Sequence, residues 1–499
     1  MVSERAETKT GGREASTGFI PGDYSLAVGM PQTPAPKGWK WSKLTDLARL
    51  ESGHTPSRKY PEYWDGGVCW VGIRDATANH GQTIYDTNQH ASELGIKNSS
   101  ARLLPKNTVC LSRTASVGYV IVMGKEMATS QDFVNWVCSK DLDNQFLKYI
   151  LISENRSFLR FASGTTHQTI YFPEVKAFHI CHPPLPEQKA IAHILGSLDD
   201  KIELNRRMNA TLEGMAQALF KSWFVDFDPV IDNALVAGNP IPDELADRAE
   251  VRRQALANGT ANREAAKAFP NSFHETVELG WIPKGWDVQP LGEHLDVLET
   301  GRRPKGGVSS YASGVPSVGA ESIFGIGLFD FGKLKFVPEE FFEKMNSGKV
   351  ESYDVLLYKD GGKPGEFKPR SGMYGEGFPF KSFGINEHVF RMRSSSLGQA
   401  FLYYQVSSER VFHHLAVRGG KAAIPGINQK EVNSVDFLIP QEDVRETFNN
   451  FSQPIFEKIL KTANQSRMLE IVRDTLLPKL ISGDLRIEKA QKIIEKEMQ

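Results

Sequence analysis

Four cysteines, twelve histidines and sixty acidic residues are the raw material for metal or nucleophilic chemistry in this 499-residue chain. Their spacing argues against most of it. Cys69, Cys110, Cys138 and Cys181 are far apart and form no C-x-x-C pair, so neither a zinc knuckle nor a disulfide framework is indicated, and idle thiols in a reducing compartment are expected. A phosphate-cradling loop needs Ser or Thr after Gly-Lys. Here the Gly-Lys pairs at Lys333, Lys349, Lys363 and Lys421 are followed by Leu, Val, Pro and Ala, and the one at Lys125 by Glu. His274-Glu275 has no second His at the metalloprotease offset, and no G-x-S-x-G elbow occurs. Gly325-Ile326-Gly327 begins a dinucleotide fingerprint, but Asp330 stands in the third glycine's place. His413 and His414 are adjacent and would diverge on a helix, which favours a structural role over metal binding. Catalytic residues need not be close in sequence, so an enzyme is disfavoured rather than excluded.

The elements that could position chemistry come next. At ~150 residues per domain the length predicts two to four domains. With 40% hydrophobic residues and 29 Phe, the chain has material for real cores. Fifty-nine basic against sixty acidic residues leave a net charge of −1, so any basic surface must be local. No apolar run approaches the ~18 residues of a membrane span, and no signal peptide is apparent. A cytoplasmic, non-membrane protein is expected.

The chain contains an internal repeat. Gly38-Trp39 through Leu50-Glu51-Ser52-Gly53-His54-Thr55-Pro56 is matched by Gly285-Trp286 through Leu298-Glu299-Thr300-Gly301-Arg302-Arg303-Pro304, and Trp286 lies 247 positions after Trp39. Val71-Gly72 matches Val318-Gly319 at the same offset. Phe146-Leu147-Lys148-Tyr149 matches Phe401-Leu402-Tyr403-Tyr404 at 255, and Leu212-Glu213 matches Leu469-Glu470 at 257. The creeping offset is that of loop insertions. Similarity is high at the edges of each copy and low in the middle, the pattern of one scaffold carrying two different surfaces.

Each copy reads as short strands (68–72, 108–112 and 118–122; 354–358 and 388–392) followed by an aromatic helix (145–161; 398–415) and a proline-containing stop. A long helix follows. From Glu187 to Trp223 the residues Ile191, Leu195, Leu198, Ile202, Met208, Leu212, Ala216 and Leu219 recur near a 4–3 spacing, with Asn205 on the seam. The second copy shows Phe448, Phe451, Ile455, Ile459, Thr462, Leu469, Val472 and Leu476. Its Pro454 either delays or kinks the helix, and Pro478 is expected to end or bend it. Two such stripes in one chain can hide each other; the alternative is that each packs on its own domain. Asn205 either fixes register or faces solvent.

The run Pro183-Pro184-Leu185-Pro186-Glu187-Gln188-Lys189-Ala190-Ile191-Ala192 resembles the start of the central helix in the specificity (S) subunits of type I restriction–modification systems. The same is true of Leu198-Asp199-Asp200-Lys201-Ile202-Glu203-Leu204-Asn205 and of Ala218-Leu219-Phe220-Lys221-Ser222-Trp223-Phe224-Val225-Asp226-Phe227. Glu278–Trp286 resembles the entry to that family's second target-recognition domain, and Leu476–Leu485 its C-terminal close. The resemblance spans residues 37 to about 487. It implies an α+β fold: two similar mixed α/β target-recognition domains joined by two long antiparallel helices, a coiled-coil-like spacer with a pseudo-two-fold. The expected organisation is a disordered extension (1–36), a first recognition domain (37–186) and a first long helix (187–228). A linker or short helical insertion (229–279), a second domain (280–440), a second long helix (441–486) and a charged tail (487–499) follow.

The resemblance further implies a non-catalytic subunit. Each recognition domain would read one half of a bipartite, asymmetric double-stranded DNA site. The helices would set the spacer and dock two adenine methyltransferase subunits, and restriction–translocase subunits would complete a prokaryotic complex. No cofactor or metal is expected in this chain; S-adenosylmethionine, ATP and Mg2+ belong to the partners. DNA contacts are expected from cations and amide or hydroxyl groups on exposed loops. In the first domain these are Arg58, Lys59, Arg74, Arg113, Thr114, Ser116, Thr165, Thr166, His167 and Gln168. In the second they are Arg302, Arg303, Lys305, Lys359, Lys363, Arg418 and Lys421. Trp39, Trp70 and Trp286 are expected as core anchors. Trp223, Phe224 and Phe227 either pack on the adjoining domain or meet a methyltransferase subunit. Two rival classes remain. A nuclease or methyltransferase with a hidden site would need an Asn/Asp-Pro-Pro-Tyr-type loop or clustered carboxylates, and neither is present. A protein-binding scaffold would show no DNA affinity.

Overall fold

The computed structural model describes residues 18–163, 168–361, 363, 365–420 and 425–497. The chain forms two compact units: Met1–Ile202 with Met468–Gln499, and Glu203–Arg467. Both boundaries fall inside long helices, Leu185–Phe224 and Glu442–Ile481, each of 40 residues.

The two units share a topology. The main sheet of unit 1 runs Ala48–Ser52, Phe133–Cys138, Val109–Ser112, Val120–Met123, Thr83–Ile84. That of unit 2 runs Val297–Thr300, Val389–Arg393, Val355–Tyr358, Ser371–Met373. Beside each lies a three-stranded sheet. Its central strand (Trp64–Val71; Val315–Val318) has one parallel neighbour (Ala128–Thr129; Gly384–Ile385) and one antiparallel neighbour (Gln89–Ala91; Phe336–Val337). A third pairing joins the strand after each Gly-Trp to the strand before each long helix: Lys40–Lys43 with Phe178–His182, and Asp287–Pro290 with Asp436–Ile439. The Glu-x-Gly repeat has a steric cause. A Cβ on Gly53 would sit 1.9 Å from the Ser130 carbonyl oxygen, and one on Gly301 would sit 1.5 Å from that of Ile385. Both turns therefore demand glycine for close backbone approach.

Each unit has its own core, and the long-helix stripes enter both. In unit 1, Ile191, Leu195 and Leu198 share a cluster with Leu469, Val472, Leu476 and Leu480, together with Phe146, Ile150 and Trp136 of the lobe. Fully burying each such leucine contributes about 1.5–3 kcal/mol before entropy is counted. In unit 2, Ala216, Phe220 and Phe224 join Phe448, Phe456, Ile459 and Leu460 and the lobe's Phe401. Asn205 donates to Gln465 Oε1 (3.1 Å), Asn209 to the Ile459 carbonyl (3.1 Å), and Phe224 meets Phe448 at 5.3 Å, so the helix segments in this unit run antiparallel. The stripes pair with each other and also pack on their own lobes. Asn205 is buried within the seam, not solvent-facing.

Several elements differ from expectation. Residues 1–17 of the expected disordered extension lie outside the described residues. Residues 18–36 are not disordered: Ile20–Pro21 and Leu26–Val28 extend the sheet built on Phe178–His182, and Leu26, Ala27 and Val28 are buried. The fully buried Glu154 holds them, accepting the backbone N–H groups of Asp23 (2.7 Å), Tyr24 (2.7 Å), Ser25 (2.8 Å) and Leu26 (3.2 Å). That role also breaks the expected 145–161 helix into Asn144–Ser153 and Asn155–Phe161. The 398–415 helix likewise splits where the Ser408 side chain accepts the Val411 N–H and starts a new N-terminus. The second long helix continues through Pro454 and past Pro478 to Ile481, its lost N–H bonds offset by burial of Phe456, Leu476, Leu477 and Leu480. It closes at Gly483 (φ 79°), where Leu485 N–H bonds the Lys479 carbonyl.

Residues 229–279 fold onto unit 2. The helices Asp228–Ala237 and Ala246–Ala257 are laced together by Arg248 and Arg252, which grip Asp228 and Asp232, each at 2.6 Å. The charged tail is a helix, Ile487–Glu497, whose Ala490 is buried and whose Ile487 and Ile494 lie against the unit 1 core.

Candidate nucleic-acid interface

In unit 1 four loops converge. Thr55 donates to Gln131 Oε1 at 2.5 Å, Arg113 donates to the Gln131 carbonyl at 3.1 Å, and Thr114 shares a hydrogen bond with Thr169 at 2.8 Å. Backbone bonds fix the frame: Arg113 N–H to the Asp132 carbonyl (2.7 Å) and Ile170 N–H to the Arg113 carbonyl (2.9 Å). Unit 2 repeats that frame with other side chains. Lys359 N–H bonds the His388 carbonyl (3.0 Å), and Ile427 N–H bonds the Lys359 carbonyl (2.8 Å). Arg113 and Lys359 therefore hold equivalent places on one scaffold.

The cations divide into two sets. Lys59, Arg74, Arg302, Lys305 and Lys363 are exposed and make no ion pair or side-chain hydrogen bond among the described residues. They can neutralise phosphates without first breaking an internal contact. The others are engaged. Arg113 is half-buried over Phe172 (4.8 Å), with its Nε unpartnered, and burial lowers its affinity for the proton. Arg303 pairs with Glu387 at 2.9 Å, Lys359 with Asp360 at 2.9 Å, and Arg418 donates to Ser434 at 2.7 Å. Asp360 also holds His388; its carboxyl is lowered although burial alone would raise it, because the Lys359 and His388 contacts prevail. Arg58 is exposed but braced: its guanidinium lies 4.3 Å from the Trp64 ring and donates to Gln89 Oε1 at 2.8 Å. A planar cation held on an aromatic face is suited to bidentate readout of a base edge.

The Ser116 carbonyl accepts the Ser112 hydroxyl (2.5 Å) in the turn around Ala115, which has φ 63°. Gln168 is exposed. Thr165, Thr166, His167 and Lys421 lie outside the described residues. Trp223, Phe224 and Phe227 are buried, only 6%, 4% and 8% exposed. Trp223 packs on Phe269 at 4.9 Å and Phe224 on Phe401 at 5.0 Å. These rings pack in the interior of unit 2, the first of the two alternatives expected for them. Trp39, Trp70 and Trp286 are core anchors, at 8%, 5% and 0% exposure. Sequence reasoning missed Thr55, Gln89, Gln131, Asp360, Glu387 and His388. The available signal was the repeat itself: Gln131 and Glu387 are 256 positions apart, within the creeping offset.

A single α+β scaffold, used twice with different polar groups at equivalent loops, defines a duplicated recognition protein. Residues 36–214 match the family model for the type I restriction modification DNA specificity domain. The chain is 26% identical over 460 residues to the type I restriction enzyme MjaIX specificity subunit of Methanocaldococcus jannaschii, covering 91% of this chain and 95% of that one. It is 27% identical over 369 residues to the HindI specificity subunit of Haemophilus influenzae, covering 69% and 76%. A solved S subunit from M. genitalium covers 89% of this chain and 96% of its own at 14% identity and a TM-score of 0.49. The chain is thus similar over nearly its whole length to type I restriction enzyme specificity subunits, and its residues 36–214 match their DNA specificity domain.

Proposed function

We propose that the two loop clusters each read one half of a bipartite, asymmetric double-stranded DNA site. The long helices set the number of unread bases between the halves. Two adenine methyltransferase subunits dock on this chain, and restriction–translocase subunits join the assembly. S-adenosylmethionine, ATP and Mg2+ serve those partners. The observation that carries the reading is the equivalence of the Arg113 and Lys359 frames with different side chains around them, which supports different half-sites on one scaffold. Lys59, Arg74, Arg302, Lys305 and Lys363 supply phosphate contacts. Arg58, Thr114 and Gln168 face the first half-site, with Arg303 and Arg418 near the second. The spacer role draws support from the continuity of both helices across the unit boundaries; a helix holds a length that a flexible linker does not.

The test is methylome mapping of a host carrying the complete system. R58A is expected to relax one base position of one half-site. The K59A/R74A pair is expected to weaken binding evenly across sequences and to reduce the salt slope by about 2. Inserting four residues near Asn205 and near Asn464 is expected to lengthen the spacer and leave both half-sites unchanged. An unchanged spacer overturns the ruler role; an unchanged motif and salt slope in the R58A and K59A/R74A variants overturn the assignment of the unit 1 contacts.

A further inference from the structure

Among the four free cysteines, three have ordinary interior settings. Burial raises the thiols of Cys138 to about 12 and Cys181 to about 11, and raises Cys110 as well. Cys69 is also buried, but it has polar neighbours. It lies directly opposite His90 in the antiparallel pairing of Trp64–Val71 with Gln89–Ala91, so the two side chains share one face of the ribbon. The loop before His90 folds back on the same ribbon. Thr87 accepts the Trp70 N–H at 3.1 Å and donates to the Gln89 carbonyl at 2.8 Å. That fold brings the Asp86 carboxylate to the pair: Asp86 Oδ1 is 3.3 Å from Cys69 Sγ and 2.8 Å from His90 Nε2. The three donor atoms lie within 4.8 Å of one another.

We propose that Cys69, Asp86 and His90 form a binding site for a zinc-like divalent cation, with water as the fourth ligand. One sulfur, one nitrogen and one oxygen donor is a set suited to zinc, whose bonds of ~2.0–2.3 Å place tetrahedral donors ~3.3–3.8 Å apart. The observed separations need only small side-chain shifts to reach that spacing. Cys69 comes from a rigid central strand, its partner from the paired strand, and only Asp86 from a loop, so most of the site is built before metal arrives. Asp86 is exposed, with 74% of its side chain accessible, and gives the ion an entry path. Binding takes the thiolate and neutral imidazole, so the Cys69 proton leaves to solvent as the metal–sulfur bond forms. The ion would brace the strand whose Gln89 holds Arg58. That consequence rests on the DNA reading above, whereas the metal titration does not.

The experiment is titration of the chelator-treated full-length protein with Co(II), followed by competition with Zn(II). The wild type is expected to bind one equivalent with an intense near-ultraviolet thiolate-to-cobalt band that Zn(II) abolishes. C69S is expected to lose the band, and H90A and D86N to bind at least about 10-fold more weakly. Should C69S fold poorly, H90A and D86N decide alone, since their side chains are accessible. Absence of the band in the wild type overturns the proposal. So does a band that persists in C69S, or affinity unchanged in both H90A and D86N.

Discussion

Asp199 sits on the first long helix within unit 1 and serves two cations and a phenol. Arg473 of the second long helix approaches it at 2.9 Å, Tyr149 donates to it at 2.6 Å, and Lys148 Nζ lies 3.7 Å away. Lys148 has 6% of its side chain exposed, against 27% for Asp199 and 29% for Arg473. Asp199→Ala therefore strands a buried ammonium. At 3.7 Å and an effective dielectric of ~20 the Lys148 attraction is ~4 kcal/mol, partly cancelled by the desolvation that Asp199 no longer suffers. Removing one partner of such a pair costs about 3–5 kcal/mol, a large share of the ~5–15 kcal/mol stability of a domain. Urea denaturation followed by circular dichroism should show that loss in one transition, and hydrogen exchange should place it in unit 1. Adding Lys148→Met should recover about 2 kcal/mol or more, because the stranded charge is the larger part of the cost. The pH dependence has a defined sign. Burial holds the Lys148 ammonium below its ordinary 10.5, with Asp199 opposing. Between the lowered value and 10.5 the unfolded chain binds more protons, so this contribution rises with pH. Without Asp199 the ammonium gives up its proton at a still lower pH, so the D199A deficit should shrink as pH rises toward the wild-type Lys148 value and stay level from there to 10.5. A loss below about 1 kcal/mol, or no rescue by K148M, refutes the argument.

Glu154→Ala leaves the backbone N–H groups of residues 24–26 without their acceptor, while that of Asp23 keeps Ser157 Oγ at 3.0 Å; a destabilisation of at least about 3 kcal/mol and early amide exchange over residues 19–28 are expected by mass-resolved hydrogen exchange. Asn205→Leu removes a buried amide whose Oδ1 has no partner, while the exposed Gln465 can turn to water; a denaturation midpoint higher by the equivalent of about 1 kcal/mol is expected, and a lower midpoint counts against a seam held mainly by apolar packing. His80 accepts the Val120 N–H at 3.1 Å, and burial, then Arg473 and Lys148, lower its pKa from 6.5. The unfolded imidazole takes up its proton first, so stability is complete above 6.5 and declines as pH falls below it. H80Q should flatten that decline in a pH series of thermal melts.

Much of the scaffold was legible because repetition and periodicity are properties of the chain itself. The Glu-x-Gly turns recur since a Cβ cannot fit at Gly53 or Gly301. The helical stripe is visible because Ile191, Leu195 and Leu198 must share a face to be buried. Exposed-loop cations such as Lys59, Arg302 and Lys305 could be named from residue type and turn chemistry. Tertiary structure decided which of the named groups are already committed. Arg303 is tied to Glu387, the Asp360 beside Lys359 to His388, and the Trp223–Phe227 aromatics to an interior, through partners dozens to hundreds of positions away. Glu154 ordering residues 23–26, and Asp86 meeting Cys69 and His90, were invisible for the same reason. A linear pattern records which face an element buries. It does not record which distant polar group arrives there, because that depends on strand register and loop closure.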